Sequence, residues 1–223
     1  MAEDLRIRCV AFDFDGTLVD SNAVKRQAYF EAARPADPSG HLVAAVLAER
    51  PEGDRYEVLR VVAQRAAEAA LLDPRCVDEA AARLIEAYTA LVEAGQAERP
   101  ERTGATSALL ALGATRPLYV NSATPVDSLR RAVTRRGWQA RFRDVLGRPP
   151  DKIANLRQVL AREDLVPAEV AMVGDQQRDL DAARTVGCAF VAVASDGNDF
   201  SEPVTLVADL GALPAMLERV RPC

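Results

Sequence analysis

Ile7 to Phe14 is an almost unbroken apolar run, interrupted only by Arg8 and by one acidic residue, Asp13. Similar short runs recur at Leu118 to Val120, Val170 to Val173 and Phe190 to Val193, with weaker ones around Val145 and from Val204 to Val207. Runs of this length without polar alternation suit strands covered on both faces, and the longer helical patterns between them supply the covers. The expected fold class is α/β: a doubly wound parallel sheet.

The spacing of the runs is uneven. About a hundred residues separate the first strand from the one at Leu118, whereas a whole βαβ unit takes roughly 30. That interval is rich in Ala, Leu, Arg and Glu, with helical patterns at Ala23 to Arg34, Tyr56 to Leu72 and Val77 to Gly95, broken by Pro35, Pro38, Pro51 and Pro74. The expectation is a core domain of residues 1–20 and 99–223, carrying an inserted α-helical domain at 21–98. Turn chemistry at Asp20-Ser21 and Arg99-Pro100 marks the two junctions.

A chain of 223 residues accommodates such an arrangement. No apolar run approaches the roughly 18 residues of a membrane span, so no membrane partner is expected. The net charge of −5 and pI near 5.1 provide no field for holding a nucleic acid, although a small anion can still meet a locally basic site. Cys9, Cys76, Cys188 and Cys223 are scattered, without the close pairing of a zinc or redox site. The start, Met1-Ala2-Glu3-Asp4-Leu5-Arg6, lacks the basic and apolar regions of a signal peptide, and the expected location is the reducing cytoplasm.

In an open parallel sheet, ligands bind beyond the carboxyl ends of the strands. Three runs end informatively there: Asp13-Phe14-Asp15-Gly16-Thr17, Asn121-Ser122, and Gly174-Asp175. Asp13 and Asp15 are two apart, so a continuing strand would point both side chains into one pocket. Two carboxylates about 4 Å apart repel by roughly 4 kcal/mol at an effective dielectric near 20, and Asp175 and Asp179 add to the cluster. Such a set calls for a cation, and oxygen ligands favour Mg²⁺. Asp15-Gly16 also suits an ordinary turn. Asp13 does not, because a carboxylate within an apolar strand must be solvated, paired or bound to metal.

Lys152 follows Pro149-Pro150-Asp151, with Asp151 placed to cap a helix. A lysine in the first helical turn opposes the macrodipole, and it is one of only two lysines among 28 basic residues. It reads either as a surface lysine or as a point charge facing the carboxylates and an anion. Ser122 precedes Thr124-Pro125, which reads as an N-cap and first helical residue, so Ser122 would lie where a helix offers free N–H groups.

Phe12-Asp13-Phe14-Asp15-Gly16-Thr17-Leu18-Val19-Asp20 resembles the first motif of the haloacid dehalogenase superfamily. Ser122, Lys152 and the segment Gly174-Asp175-Gln176-Gln177-Arg178-Asp179 follow in the order of its remaining motifs, with Gln176 where many members carry Ser. The resemblance covers about residues 7 to 20 and 100 to 220. It implies a Rossmann-like core and identifies the insertion as a helical cap. It implies Asp13 as nucleophile, forming an aspartyl phosphate, and Asp15 as acid and base. Ser122 and Lys152 would hold the phosphoryl oxygens, with Gly16, Thr17 and Ala123 contributing to the phosphate site. Mg²⁺ would be bound by Asp13, the Asp15 backbone carbonyl and Asp175, with Asp179 supporting the metal or orienting Lys152.

The activity so implied is Mg²⁺-dependent hydrolysis of a small phosphomonoester, of the phosphoglycolate or sugar-phosphate type, by a monomer or homodimer. A metal-free dehalogenase would lack Asp15. A phosphosugar mutase of the β-phosphoglucomutase kind typically has a histidine where this chain has Lys25, although Lys25 could still meet a second phosphate. A non-catalytic binding module would not retain the full acidic set. The segment Arg50-Pro51-Glu52-Gly53-Asp54-Arg55-Tyr56 is the candidate specificity loop, with Arg50 and Arg55 as its cations, against the plainer reading of a solvated arginine-rich face. His41, after Ser39-Gly40 at a helix start, reads as structural.

Overall fold

The computed structural model describes residues 6–49, 54–95, 99–195 and 198–220. Its strands are β1 (Cys9–Phe12), β2 (Leu118–Pro125), β3 (Asp144–Arg148), β4 (Val170–Gly174), β5 (Ala189–Val193) and β6 (Leu206–Val207). They form one parallel sheet in the order β3-β2-β1-β4-β5-β6. Every strand expected from an apolar run is present, including the two weaker ones.

Between β1 and β2 the chain builds α1 (Asn22–Ala33), α2 (His41–Glu49), α3 (Arg55–Glu68) and α4 (Val77–Ala94). Contacts divide the molecule into two compact units, Ser21–Glu98 and the combined Met1–Asp20 and Arg99–Cys223. The helical unit has its own core, in which Val43, Val46, Val58, Leu59, Val62 and Leu84 are buried and Tyr29 stacks on Tyr88 at 4.4 Å. Two of its helix starts, those of α2 and α3, follow from side chains that satisfy first-turn N–H groups. Asp54 accepts from Tyr56 N at 2.9 Å and Glu57 N at 3.0 Å, and the buried Asp37 accepts from Val43 N at 2.9 Å. The third helix stops at Glu68 rather than Leu72, because Ala70 takes a left-handed conformation (φ 56°) that no helix can continue through.

The sheet unit adds α5 (Ala105–Gly113), α6 (Val126–Arg135), α7 (Lys152–Glu163), α8 (Gln177–Val186) and the short α9 (Leu213–Leu217). Alternation along the strands divides the apolar core in two. Val10, Phe12, Val120 and Val173 pack with α5, α6 and α9 on one face, while Cys9, Ala11, Tyr119 and Met172 pack with α7 and α8 on the other. Burying both faces explains why the strands carry no polar alternation. Burial also pushes the Cys9 thiol up to about 12, so it is an inert core residue.

Two local expectations change. The first strand ends at Phe12, so Asp13 and Asp15 do not share a strand face. The second continues to Pro125, which itself precedes α6, so Thr124 is a strand residue and not a helix cap.

Candidate active site

The sheet order reverses direction between β1 and β4, and the carboxyl ends of β1, β2 and β4 lie side by side. Phe12 pairs with Val120 on one side and Val173 on the other, so the chain beyond these residues brings Asp13, Ser122 and Asp175 to the same end of the sheet. Asp13 remains in register, its N–H donating to Val173 O at 2.8 Å. Beyond it, Gly16 turns the chain with φ 82°, and the backbone N–H groups of Leu18 and Val19 return to Phe14 O.

Lys152 opens α7, capped by Asp151, whose Oδ1 accepts from Ala154 N at 2.8 Å. Asn121, the residue before Ser122, ties this turn to β2 by donating to Lys152 O at 3.0 Å, and Asn155 donates back to Asn121 Oδ1 at 3.0 Å. So fixed, the buried Lys152 Nζ lies 3.1 Å from Asp13 Oδ1 and donates to Asp179 Oδ1. Burial pulls the ammonium down from its ordinary 10.5, but the Asp13 and Asp179 carboxylates outweigh it and the net shift is upward. Lys152 is therefore a cation at neutral pH.

Asp179 sits in the first turn of α8, and its Oδ2 accepts from Gln176 N at 3.1 Å. Gly174 makes this close approach feasible, since a Cβ there would fall 2.4 Å from Asp179 atoms. Burial pushes the Asp179 carboxyl up to about 7 from 3.8; Lys152 opposes the shift, and Asp13 and Asp175 add to it. Asp175 is held on both oxygens. Thr17 Oγ1 donates to Oδ1 at 3.0 Å and Ser195 Oγ to Oδ2 at 3.3 Å, while Asn198 Nδ2 donates to the Asp175 carbonyl at 2.7 Å.

Ligand oxygens of Asp13, Asp175 and Asp179 all lie within 4.8 Å of one another. Asp13 Oδ1 is buried and accepts no hydrogen bond of good geometry, although the Lys152 ammonium lies 3.1 Å away. An all-oxygen cluster with one unsatisfied carboxylate oxygen fits a hard divalent cation such as Mg²⁺. The Asp15 side chain stands apart from this group. Its Oδ2 accepts from Thr124 Oγ1 at 3.0 Å, and Arg99 Nη1 lies 3.7 Å from Oδ1.

The other candidates are placed as follows. Ser122 is buried, with Oγ accepting from Thr124 N at 3.2 Å, and Ala123 follows it at the end of β2. The Gly16 N–H donates to Val19 O at 2.7 Å, and the Thr17 hydroxyl donates to Asp175 Oδ1. Lys25 is half-buried in the first turn of α1. Arg55 is buried within the helical unit, donating to Thr89 Oγ1 at 3.2 Å and lying over the Tyr88 ring at 5.1 Å, so it is not the exposed loop cation expected. Arg50 and Pro51 to Gly53 lie outside the described residues. Sequence reasoning did not single out Arg99, Asn121, Ser195 or Asn198 as site residues. The polar Asn121, directly after an apolar run, was the one available signal.

A doubly wound parallel sheet with acidic residues and a buried lysine at its switch point defines a Rossmann-like enzyme. Residues 7–187 match the family model of haloacid dehalogenase-like hydrolases, and the chain belongs to that family. It is similar to a phosphoglycolate phosphatase of Vibrio vulnificus (strain YJ016), with 26% identity over 89% of this chain and 88% of the relative. A phosphoglycolate phosphatase of Synechococcus elongatus (strain ATCC 33912 / PCC 7942 / FACHB-805) is 30% identical over 91% of each chain. The crystal structure of a predicted phosphoglycolate phosphatase from Haemophilus somnus 129pt shares the fold, with a TM-score of 0.69 at 20% identity over 97% of this chain and 99% of that one. Among the described residues no helix is long and apolar enough to cross a membrane.

Proposed function

We propose that this chain is a Mg²⁺-dependent phosphatase that hydrolyses a small phosphomonoester, of the phosphoglycolate or sugar-phosphate type, through an aspartyl phosphate on Asp13. The observation that carries the reading is the Asp13 carboxylate: buried, unsatisfied at Oδ1, 3.1 Å from a lysine ammonium and beside two further carboxylates. The phosphoglycolate phosphatases among its relatives support the substrate class.

Asp13 attacks phosphorus, forming an O–P bond as the ester P–O bond breaks, and Asp15 gives its proton to the departing oxygen. Asp15 then takes a proton from water, the water oxygen bonds to phosphorus, and the Asp13–phosphorus bond breaks to release inorganic phosphate. Splitting the reaction in this way replaces one difficult displacement with two easier ones. Lys152 and Ser122 hold phosphoryl oxygens, offsetting the repulsion between carboxylate and phosphate. Mg²⁺, held by Asp13, Asp175 and the Asp15 carbonyl with Asp179 in support, would supply further positive charge against that repulsion. Residues 21–98 act as the cap, where selection among leaving groups resides.

The test is Mg²⁺-dependent phosphate release from p-nitrophenyl phosphate and from a panel of phosphorylated metabolites, with acid-quenched protein examined by mass spectrometry for one added phosphoryl group. Asp13→Asn should nearly abolish both. Retained turnover in that variant removes Asp13 as the nucleophile.

A further inference from the structure

We infer that Thr124 and Arg99 are positioning residues that hold the Asp15 carboxyl by its two oxygens and so determine how well this chain expels a strongly basic leaving group. The inference rests on the reading of Asp15 as the proton donor.

All three side chains are buried, Thr124 and Asp15 at 3% and 4% exposure and the Arg99 side chain at 2%. The Thr124 hydroxyl supplies a directed hydrogen bond to Oδ2 at 3.0 Å. At 3.7 Å from Oδ1, the Arg99 guanidinium is beyond hydrogen-bond reach and contributes charge and confinement. Each partner is itself fixed from another direction. The register of β2 against β3 shifts between Asn121 and Pro125, and Gly147 admits the displaced backbone, since a Cβ there would lie 2.6 Å from Thr124 O. Arg99 begins a segment paired with the chain after Asp15: Asp20 N donates to Pro100 O at 3.1 Å, and Arg102 N to Leu18 O at 2.9 Å. Arg136 Nη2 donates to Arg99 O at 2.6 Å and its guanidinium lies 5.4 Å from the Trp138 ring centre, which meets Phe14 edge-on at 6.4 Å. A closed circuit from Asp15 through Phe14, Trp138, Arg136 and Arg99 returns to the Asp15 carboxyl.

A plain scaffold contact and a positioning contact differ in what they do to the leaving group. An aryl oxide departs with little help from an acid, whereas an alkoxide needs a proton delivered as the ester bond breaks. A well-placed acid contributes roughly 100- to 10,000-fold, and a displacement of about 1 Å can cost on the order of 100-fold. kcat/KM reports only the steps up to ester cleavage, so it isolates the acid role of Asp15 from its later role as base.

The experiment compares kcat/KM on p-nitrophenyl phosphate and β-glycerol phosphate. Thr124→Val, nearly isosteric, should lose at least about tenfold on the alkyl ester and less than about threefold on the aryl ester, with Thr124→Ser restoring the alkyl activity. Arg99→Gln should show the same split. Equal losses on both esters, or none, in Thr124→Val overturn the inference, and an unsplit Arg99→Gln removes Arg99 from it. Asp15→Asn is the control: if it also fails to discriminate between the esters, the reading of Asp15 as proton donor is what fails.

Discussion

Replacing Lys152 by Met tests the electrostatic balance of the site directly. The ammonium stands 3.1 Å from Asp13 Oδ1, a separation worth about 5 kcal/mol at an effective dielectric of 20, and it also bonds Asp179. Without it, carboxylates whose oxygens lie within 4.8 Å of one another repel by about 3 kcal/mol per pair. Proton uptake limits that cost, and removing one partner of a buried ion pair typically destabilises by about 3 to 5 kcal/mol. Urea denaturation at pH 8 in a chelator should therefore show Lys152→Met less stable by about that amount. The deficit should shrink when Mg²⁺ is added, because a cation binding only the folded state returns about 2.7 kcal/mol at a hundredfold excess over its dissociation constant. The increment should be larger in the variant than in the wild type, since the competing ammonium is gone. A variant within about 0.5 kcal/mol of wild type in chelator, the range of an ordinary surface change, refutes the reasoning.

In metal-free protein the folded state holds a proton on Asp179 up to about 7 that the unfolded chain releases near 3.8. Wild type should therefore lose stability relative to Asp179→Asn as pH rises across that window, and a constant difference between their urea midpoints would contradict it. Gly174→Ala places a Cβ 2.4 Å from Asp179 and should lower stability by about 1 to 3 kcal/mol, read from thermal melting, and depress kcat by displacing the carboxylate. Ser195→Ala and Asn198→Ala remove donors from Asp175 and should weaken Mg²⁺ binding about 10- to 100-fold by calorimetry, while Ser195→Thr keeps it; unchanged affinity would limit both residues to loop structure.

The sheet was legible because burial on both faces leaves uninterrupted apolar runs, and the helical insertion because its length exceeds any simple crossover. Lys152 stood out for a physical reason, a cation where the helix dipole disfavours one, and the structure shows the carboxylates that offset that disadvantage. The arrangement around Asp15 was hidden. Spacing by two implies a shared face only while a strand lasts, and β1 ends at Phe12. Thr124-Pro125 has the composition of a helix cap, yet the register shift in β2 carries the hydroxyl to Asp15. Arg99 is one of 26 arginines, and nothing local separates a buried guanidinium from a solvated one. Arg55 illustrates the converse, a loop-like arginine drawn inside by an aromatic ring and a threonine hydroxyl.

β1 is translated before either of its sheet neighbours, which it meets through Val120 and Val173 and which emerge from the ribosome only after the whole insertion. Helices with mostly local contacts can assemble while the nascent chain is still growing, whereas the sheet must wait for distant partners. Until then Val10 and Phe12 lack the strands that flank them in the finished sheet, so the strand on which the whole sheet unit is built is also one of the last to be paired.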